Sequence, residues 1–324
     1  MPAEPAVESA FPPDPADEAM VGRARERFRS IGGRRIPRRR LRRAAKPNLV
    51  VIGGLKCGTT SLHHYLNLHP EIQMSRPKEL NFFVAELNWP LGVEWYASHF
   101  RAGAAVRGES SPHYTNLPRF AGVAERMSSL IPGARLIFMV RDPLDRALSH
   151  YLHNVAGGYE HRPLDVALAD PDSAYVHRGM YAMQLEPYLE RFPVERVELV
   201  TQEELSSERE ATMRQVFSFL AVDAGFSSPQ FSREWETGTG KRTGRYRVLD
   251  RAVRLPGLRA LDANFDRLPE SLRWMVERLV HDPDGAERER PSLPATIAER
   301  LRERFRPDIE RLEALTGRRF DWGL

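Results

Sequence analysis

The sequence contains a single cysteine, Cys57, among its 324 residues. One cysteine cannot build an internal disulfide framework, and this scarcity favours a reducing compartment. The apolar runs, such as LIFMV at 136–140, are too short to cross a bilayer. The first twenty residues also lack the apolar segment of a secretory signal peptide. These absences predict a cytoplasmic protein, and its 41% content of apolar residues is enough for a substantial core.

Positive charge is concentrated near the N-terminus. Residues 21–46 hold twelve lysines or arginines and one acid, whereas residues 1–20 hold five acids and no base. We predict a disordered arm over residues 1–46, acidic and proline-rich and then arginine-rich, followed by a folded domain over 47–324. The arginine-rich part predicts contact with an anionic surface, including membrane association, or else a solvated tail. It lacks the interleaved aromatic residues of a specific nucleic-acid binder.

The most informative stretch is NLVVIGGLKCGTTS at 48–61. A short β-branched run predicts a buried strand, two glycines predict a tight turn, and a helix is expected to begin near Thr59. The amides at a helix N-terminus favour an anion. Lys56 adds a positive charge there, and Thr59, Thr60 and Ser61 add hydroxyl donors. The stretch therefore predicts a phosphate cradle, and its alternative interpretation is a plain glycine turn with a solvated lysine.

The cradle is not a Walker A loop, because Lys56 precedes Gly58 by two positions instead of following the glycine. A kinase-like phosphotransferase is therefore disfavoured, although it remains an alternative, as does a nucleotide- or polyanion-binding protein without catalysis. Cys57 lies next to Lys56 near a helix N-terminus, a setting that can lower a thiol pKa. We thus consider oxidation sensitivity for Cys57, with a small residue that merely fits the loop as the simpler alternative.

Two further segments carry residues suited to chemistry. Glu79 precedes Phe82 and Phe83, and desolvation beside such aromatic residues can raise the basicity of a carboxylate, as a general base requires. A second strand, RLIFMV, ends at Arg141 and is followed by a helix that carries Ser149. A basic residue at the carboxyl end of a strand lies where an open α/β sheet binds its ligand.

The stretch ETGTGKRTGRYRV is rich in glycine and basic residues and predicts an anion-binding loop. Along the rest of the chain, predicted strands and helices alternate. This alternation predicts an α/β fold with a mainly parallel central sheet flanked by helices.

With these motifs in view, the chain over about 47–324 resembles the sulfotransferases that use 3′-phosphoadenosine 5′-phosphosulfate (PAPS), in particular the heparan sulfate sulfotransferase-like branch and its bacterial relatives. GGLKCGTTSL resembles the 5′-phosphosulfate loop of that family, and FMVRDPLDRALSHY resembles its 3′-phosphate element. The segment ELNFF resembles the part of the family that carries the catalytic glutamate. The segment GTGKRTGRYR resembles a cofactor loop of the family, and LTGRRFDW resembles its C-terminal signature. The resemblance implies a P-loop-like nucleotide-binding sulfotransferase fold.

The resemblance also implies roles for individual residues. Lys56 and Glu79 would be catalytic, the first by stabilising the leaving phosphate oxygen and the second as the base, with His113 as an alternative base. Residues implied to bind the cofactor are Lys56, Gly58, Thr59, Thr60, Ser61, Arg141, Ser149, Lys241, Arg242, Gly244 and Arg245. The implied donor is PAPS, and the arrangement requires no metal.

The implied acceptor is a hydroxyl or amine of a carbohydrate, a lipid-linked molecule or a small metabolite. The chain departs from heparan 3-O-sulfating members at Ser110, where those members have a lysine, and at Asn81 and Val84, where they have histidine and aspartate. These departures concern positions near the implied base and its acceptor.

Overall fold

The computed structural model describes residues 14–31, 44–232 and 292–324. Within these ranges five strands form a single sheet in the order β2-β3-β1-β4-β5, and neighbouring strands are parallel. The strands are β1 (Leu49–Gly53), β2 (Ile72–Met74), β3 (Val106–Ser110), β4 (Arg135–Val140) and β5 (Val197–Thr201). The predicted parallel α/β sheet is thus confirmed.

The helices of the described residues lie mostly between the strands, as parallel crossovers require. They are α1 (Pro15–Ile31), α2 (Thr59–Leu66), α3 (Gly92–Ala97), α4 (Val123–Leu130), α5 (Pro143–Gly157), α6 (Leu164–Ala169), α7 (Ala174–His177), α8 (Tyr181–Leu189), α9 (Gln202–Ser207), α10 (Arg209–Leu220) and α11 (Ala295–Thr316). Short 3₁₀ helices span Trp89–Leu91, Pro112–Thr115, Val194–Arg196 and Pro229–Ser232.

The centre of the sheet is covered on both faces. Every residue of β1 is buried, as are residues 136–140 of β4, although successive side chains of a strand point to opposite faces. Continuous apolar runs of this kind are typical of parallel strands between two layers of helices. From β1 the chain moves to β2 and β3 on one side and then to β4 and β5 on the other. Such a reversal of direction places a ligand crevice at the carboxyl end of β1.

The C-terminal segment lies against the domain through two aromatic residues. Phe320 and Trp322 stack with ring centroids 4.3 Å apart, and Trp322 contacts Tyr181 at 6.0 Å. Both residues pack against the hydrophobic core. The helix α11 continues through Pro307.

The N-terminal arm differs from the prediction of disorder. Residues 15–31 form α1, and its preceding residue, Asp14, accepts a hydrogen bond of 2.8 Å from the amide of Ala16. Asp14 and Asp17 are both buried, together with Val21. The prediction of disorder overlooked the contacts of this helix with the domain. Its carboxylates lie against Arg178 and His150, and Met20, Val21 and Ala24 pack against the hydrophobic core. The predicted boundary at 46/47 otherwise stays a prediction, and residues 1–13, 32–43 and 233–291 lie outside the described structure.

None of the helices in the described ranges is long and apolar enough to cross a membrane.

Candidate active site

The predicted phosphate cradle follows β1. A side chain at Gly53 would place its Cβ 2.3 Å from the carbonyl oxygen of Met139, so only glycine allows β1 and β4 to approach this closely here. The backbone then turns through positive φ angles of 75° at Lys56 and 84° at Gly58. In the first backbone hydrogen bond of α2, the amide of Leu62 donates to the carbonyl of Gly58. The amides of the preceding turn therefore lie outside the helical ladder, at the end where the helix dipole favours an anion.

The hydroxyl residues of the cradle begin α2. Thr59 is buried, and Thr60 and Ser61 are partly buried in the first turn of this helix. The predicted helix start at Thr59 is confirmed. Amides, hydroxyls and the ammonium of Lys56 on one loop provide the donor types that bind a phosphate or sulfate group.

Arg141 begins the next loop along the same edge of the sheet, directly after β4. Its Nη2 donates to Asp145 across 2.8 Å, while its Nε is buried and has no hydrogen-bond partner within the described ranges. Asp142 caps α5 by accepting from the amides of Leu144 and Asp145. An unsatisfied guanidinium donor beside a helix N-terminus fits an additional phosphate group.

Ser149 lies on α5, one turn beyond Asp145. Residues four apart on a helix share a face, so Ser149 is on the face that Arg141 reaches. It is partly buried. The structure therefore brings the two residues of the implied 3′-phosphate element to one region.

Glu79 is attached to the carboxyl end of β3. Its amide donates to the carbonyl of Ser110 across 3.1 Å, and it has a positive φ of 64°. Asn81 also has a positive φ, of 46°. Such backbone conformations cost on the order of 1–3 kcal/mol each and concentrate at functional sites, where the surrounding structure holds them in place.

The electrostatic setting of Glu79 differs from the expectation. Burial raises the pKa of Glu79, but the charges of Lys78 and His113 and a hydrogen bond from Lys78 outweigh it, so the net pKa lies below its ordinary value. Nζ of Lys78 is 2.7 Å from Oε1 of Glu79. Phe82 and Phe83 are fully buried, as predicted, yet the neighbouring lysine decides the direction of the shift. Glu79 is thus an ionised acceptor, not a carboxyl of raised basicity.

Glu109 was not identified from the sequence, although it supports the Glu79 loop. This fully buried carboxylate accepts hydrogen bonds from the hydroxyls of Tyr96, Ser111 and Tyr114 at 2.5–2.7 Å. In turn, Ser111 Oγ accepts from the amide of Asn81 and Tyr114 Oη from that of Phe82, at 3.0 and 2.9 Å. The network therefore fixes the strained turn after Glu79. An acid followed by two serines at the end of a short strand, between Tyr96 and Tyr114 in the sequence, was the signal that could have found it.

His113, the alternative base, lies in the 3₁₀ helix after β3. It is buried, and its Nε2 is 3.3 Å from Oδ1 of Asp17 in α1. Ser110, one of the departures from the heparan branch, contacts Nδ1 of His63 through its hydroxyl at 3.0 Å. The pKa of His63 is lowered to about 3, mainly by burial, so this imidazole is neutral at pH 7. The position that holds a lysine in those members is thus filled by a neutral hydrogen-bonded pair.

Cys57 does not have the reactive setting considered above. The thiol is completely buried, and burial raises its pKa to about 11 despite the nearby guanidinium of Arg146. Its Sγ lies 3.6 Å from the hydroxyl of Tyr181. A Cβ added at Gly54 would lie 2.8 Å from this sulfur, which shows how tightly the loop encloses it. The hypothesis of a low thiol pKa is therefore wrong, and Cys57 packs as a small core residue.

The predicted cofactor loop residues Lys241, Arg242, Gly244 and Arg245 lie outside the described residues.

Comparisons with known proteins identify the family. A family model described as the sulfotransferase domain matches residues 46–236, more than half of the chain. The chain therefore belongs to the sulfotransferase domain family, as its motifs predicted. This membership argues against the kinase-like alternative.

Among curated relatives, the chain is 39% identical over 110 residues to the membrane-associated sulfotransferase kil1 of Dictyostelium discoideum. That match covers 32% of this chain and 22% of the relative, so the chain spans about a fifth of that protein's length. It is 25% identical over 289 residues to heparan sulfate glucosamine 3-O-sulfotransferase 5 of Mus musculus, covering 85% of this chain and 74% of the relative.

The fold is shared with a solved bacterial structure. A crystal structure of a sulfotransferase from Alicyclobacillus acidocaldarius aligns with a TM-score of 0.61 at 24% identity, covering 86% of this chain and all of that one. The expectation of a sulfotransferase fold is confirmed.

Proposed function

We propose that this chain transfers a sulfuryl group from PAPS to a hydroxyl or amine of an acceptor and releases adenosine 3′,5′-bisphosphate. One observation carries the proposal. The cradle, Arg141 and Glu79 are attached to the carboxyl ends of three adjacent strands, β1, β4 and β3. Membership of the sulfotransferase domain family supports it.

The donor is held at two places in this proposal. The cradle amides, Lys56 and the hydroxyls of Thr59, Thr60 and Ser61 bind the 5′-phosphosulfate. Arg141 binds the 3′-phosphate through the guanidinium edge that is unsatisfied among the described residues, and Ser149 donates to the same group. Cationic and amide donors at fixed positions match the two anionic ends of such a nucleotide.

The reaction is an in-line transfer. An oxygen or nitrogen of the acceptor attacks sulfur, the bond from sulfur to the bridging phosphate oxygen breaks, and that oxygen leaves with the negative charge. Lys56 and the helix N-terminus stabilise this charge as it develops, since positioning and electrostatics dominate transfers of this type. The carboxylate of Glu79 accepts the proton that the acceptor loses.

Glu79 is favoured over His113 as the base. The carboxylate of Glu79 is ionised and partly exposed, with 38% of its side-chain surface accessible. The imidazole of His113 is buried and faces the carboxylate of Asp17. A base must reach the proton it abstracts, so accessibility favours Glu79.

The acceptor class we propose is carbohydrate, with lipid-linked molecules and small hydroxylated metabolites as further members of the same chemistry. The mouse relative is named for heparan sulfate glucosamine. The arginine-rich residues of the 21–46 segment are proposed to contact an anionic surface. This part of the proposal rests on the sequence charge alone.

The experiment that tests the function is a transfer assay with PAPS and an acceptor panel of amino sugars, uronic-acid-containing oligosaccharides and hydroxylated small molecules. We expect release of adenosine 3′,5′-bisphosphate that depends on the acceptor. Glu79→Gln should lower kcat by about 10²–10⁴-fold with little loss of nucleotide affinity, because the base acts on the acceptor. Glu94→Gln, at an exposed position of α3, is the matched control. Near-normal turnover of Glu79→Gln would transfer the role of base to His113.

A further inference from the structure

The carboxylate of Asp17 is enclosed by a set of polar side chains from the folded domain. Nη2 of Arg178 lies 2.6 Å from both carboxylate oxygens. Asn116 donates to Oδ2 across 2.8 Å, and Nε2 of His113 is 3.3 Å from Oδ1. Arg178 also donates through Nε to Asn116 at 3.0 Å, which fixes the orientation of both groups. We call Arg178, Asn116 and His113 the anion pocket.

The anion pocket is built into the domain, not onto its surface. Arg178 is completely buried, while Asn116 and His113 are 2% and 8% exposed. A buried guanidinium without a counter-charge is strongly destabilising, so this pocket requires an anion. In the present structure, Asp17 supplies it.

Asp17 does not use every donor that the pocket offers. Nη1 of Arg178 is buried and has no hydrogen-bond partner among the described residues. A side-chain carboxylate of α1 therefore fills the pocket incompletely. A free oxyanion, which is not tethered to a helix, can take a position that engages more of these donors.

The pocket lies beside the proposed base. His113 follows the end of β3, and the amide of Glu79 is bonded to the carbonyl of Ser110 at the same strand end. The charge of His113 also lowers the pKa of Glu79, and the carboxylate of Glu79 helps to raise that of Arg178 against the effect of burial. An anion in the pocket is thus part of the environment in which an acceptor meets Glu79.

The helix that carries Asp17 makes further contacts with the domain. Over residues 15–26 of α1, Val21 is the fully buried apolar side chain, and Met20 and Ala24 are partly buried against the core. Asp14 adds a second polar attachment, with Oδ2 at 2.7 Å from Nε2 of His150. Docking of α1 therefore includes two buried carboxylates placed against basic and imidazole groups of the domain.

We propose that the anion pocket binds a carboxylate or sulfate group of the acceptor, and that Asp17 occupies it as an intramolecular competitor until such a group displaces α1. The identity of the ligand as an acceptor rests on the proposed function, whereas the pocket is defined by the contacts of Asp17 alone. When the anionic group of the acceptor binds Arg178, it replaces the carboxylate of Asp17, and α1 is released in the same step.

The test monitors anion binding to the pocket directly, in the full chain and without nucleotide. The imidazole NMR signals of His113, assigned by their loss in His113→Gln, are followed as sodium sulfate or sodium glucuronate is added. Glucose is the neutral control, and a stronger response to one of the two anions identifies the group that the acceptor carries. In parallel, hydrogen exchange of residues 15–31 is measured by mass spectrometry.

We expect each effective anion to shift the His113 signals and to increase exchange in α1. In Asp17→Asn, the midpoint of the titration should fall at least ten-fold, because the competing carboxylate is gone. Glu26→Gln, at an exposed position of the same helix, should keep the wild-type midpoint. The double variant Asp17→Asn/Arg178→Gln should lose the response.

An equal midpoint in wild type and Asp17→Asn, or no response of α1 to either anion in the wild type, overturns the inference. The wild-type exchange measurement decides the matter even if Asp17→Asn does not fold. Because no nucleotide is present, failure of PAPS-dependent transfer leaves this result intact, so the two proposals fail separately.

Discussion

Lys78 and Glu79 are neighbours in the sequence and form an ion pair, with Nζ of the lysine 2.7 Å from Oε1 of the glutamate. The pair keeps the proposed base ionised at lower pH than an ordinary glutamate, since its pKa is lowered despite burial. The cost is a weaker base. The pair also holds the Glu79 carboxylate in one orientation beside the carboxyl end of β3.

The first prediction concerns pH dependence. The base must be deprotonated, and the ammonium of Lys78 favours its deprotonated form, so activity should persist at acidic pH and fall only as pH drops through the lowered pKa. In Lys78→Met burial still raises the pKa of Glu79 but the opposing charge of the lysine is gone, so the acidic limb of kcat/KM should move to higher pH. A pH profile of transfer for both proteins measures this. Arg76→Met, at an exposed position of the same loop, should leave the limb in place. An unmoved limb in Lys78→Met contradicts the electrostatic role.

The second prediction concerns the network that supports the turn after Glu79. Tyr114→Phe removes the hydroxyl that donates to Glu109 and accepts from the amide of Phe82. A buried amide left without a partner costs about 1–3 kcal/mol, so the free energy of unfolding should fall by that amount. Because the turn positions the base, kcat should also fall, whereas affinity for adenosine 3′,5′-bisphosphate should be retained.

Urea unfolding, steady-state kinetics and calorimetry measure these three quantities for Tyr114→Phe. Tyr159→Phe, at a partly exposed position after α5, is the control and should match the wild type. A loss of nucleotide affinity equal to the loss of kcat would show that the network supports the cradle instead of the base.

The third prediction concerns Cys57. A buried thiol with a pKa of about 11 is scarcely ionised at pH 8 and should not react with a disulfide reagent in the native protein. One equivalent should react after denaturation, since the chain has one cysteine. Peroxide should affect wild type and Cys57→Ser alike. Rapid reaction of the native thiol, or protection by the serine variant, would restore the redox hypothesis.

The cradle and the α/β class were predictable because their signals are local. A β-branched run, two glycines and a helix start within fourteen residues define β1, the turn and the beginning of α2 without knowledge of the rest of the chain. The Asp142 cap of α5 is equally local.

The N-terminal helix was not predictable in the same way. Asp17 meets Arg178 across 161 positions of sequence, and neither residue carries a mark of that pairing. The stretch therefore has the composition of a disordered arm, although burial of its carboxylates orders it.

The raised basicity expected for Glu79 and the low thiol pKa considered for Cys57 are not found, for a related reason, and Cys57 follows its simpler alternative of a small residue that fits the loop. Phe82 and Lys78 flank Glu79 on the two sides, and the sequence does not tell which of them dominates. For Cys57, the enclosing atoms come from Tyr181 and Arg146, far along the chain. The burial and the electrostatic environment of a side chain depend on residues from distant parts of the chain, and its sequence neighbours are only some of them.

The most direct measurement is calorimetric titration of the full chain with adenosine 3′,5′-bisphosphate, with ADP and AMP as controls. The account predicts binding that requires the 3′-phosphate and is lost in Arg141→Ala, because the unsatisfied Nε of Arg141 is the proposed partner of that group. Arg135→Ala, at the opposite end of β4, controls for the loss of an arginine from this strand region. Equal affinity for adenosine 3′,5′-bisphosphate and ADP, unchanged in Arg141→Ala, would contradict the assignment of PAPS as donor.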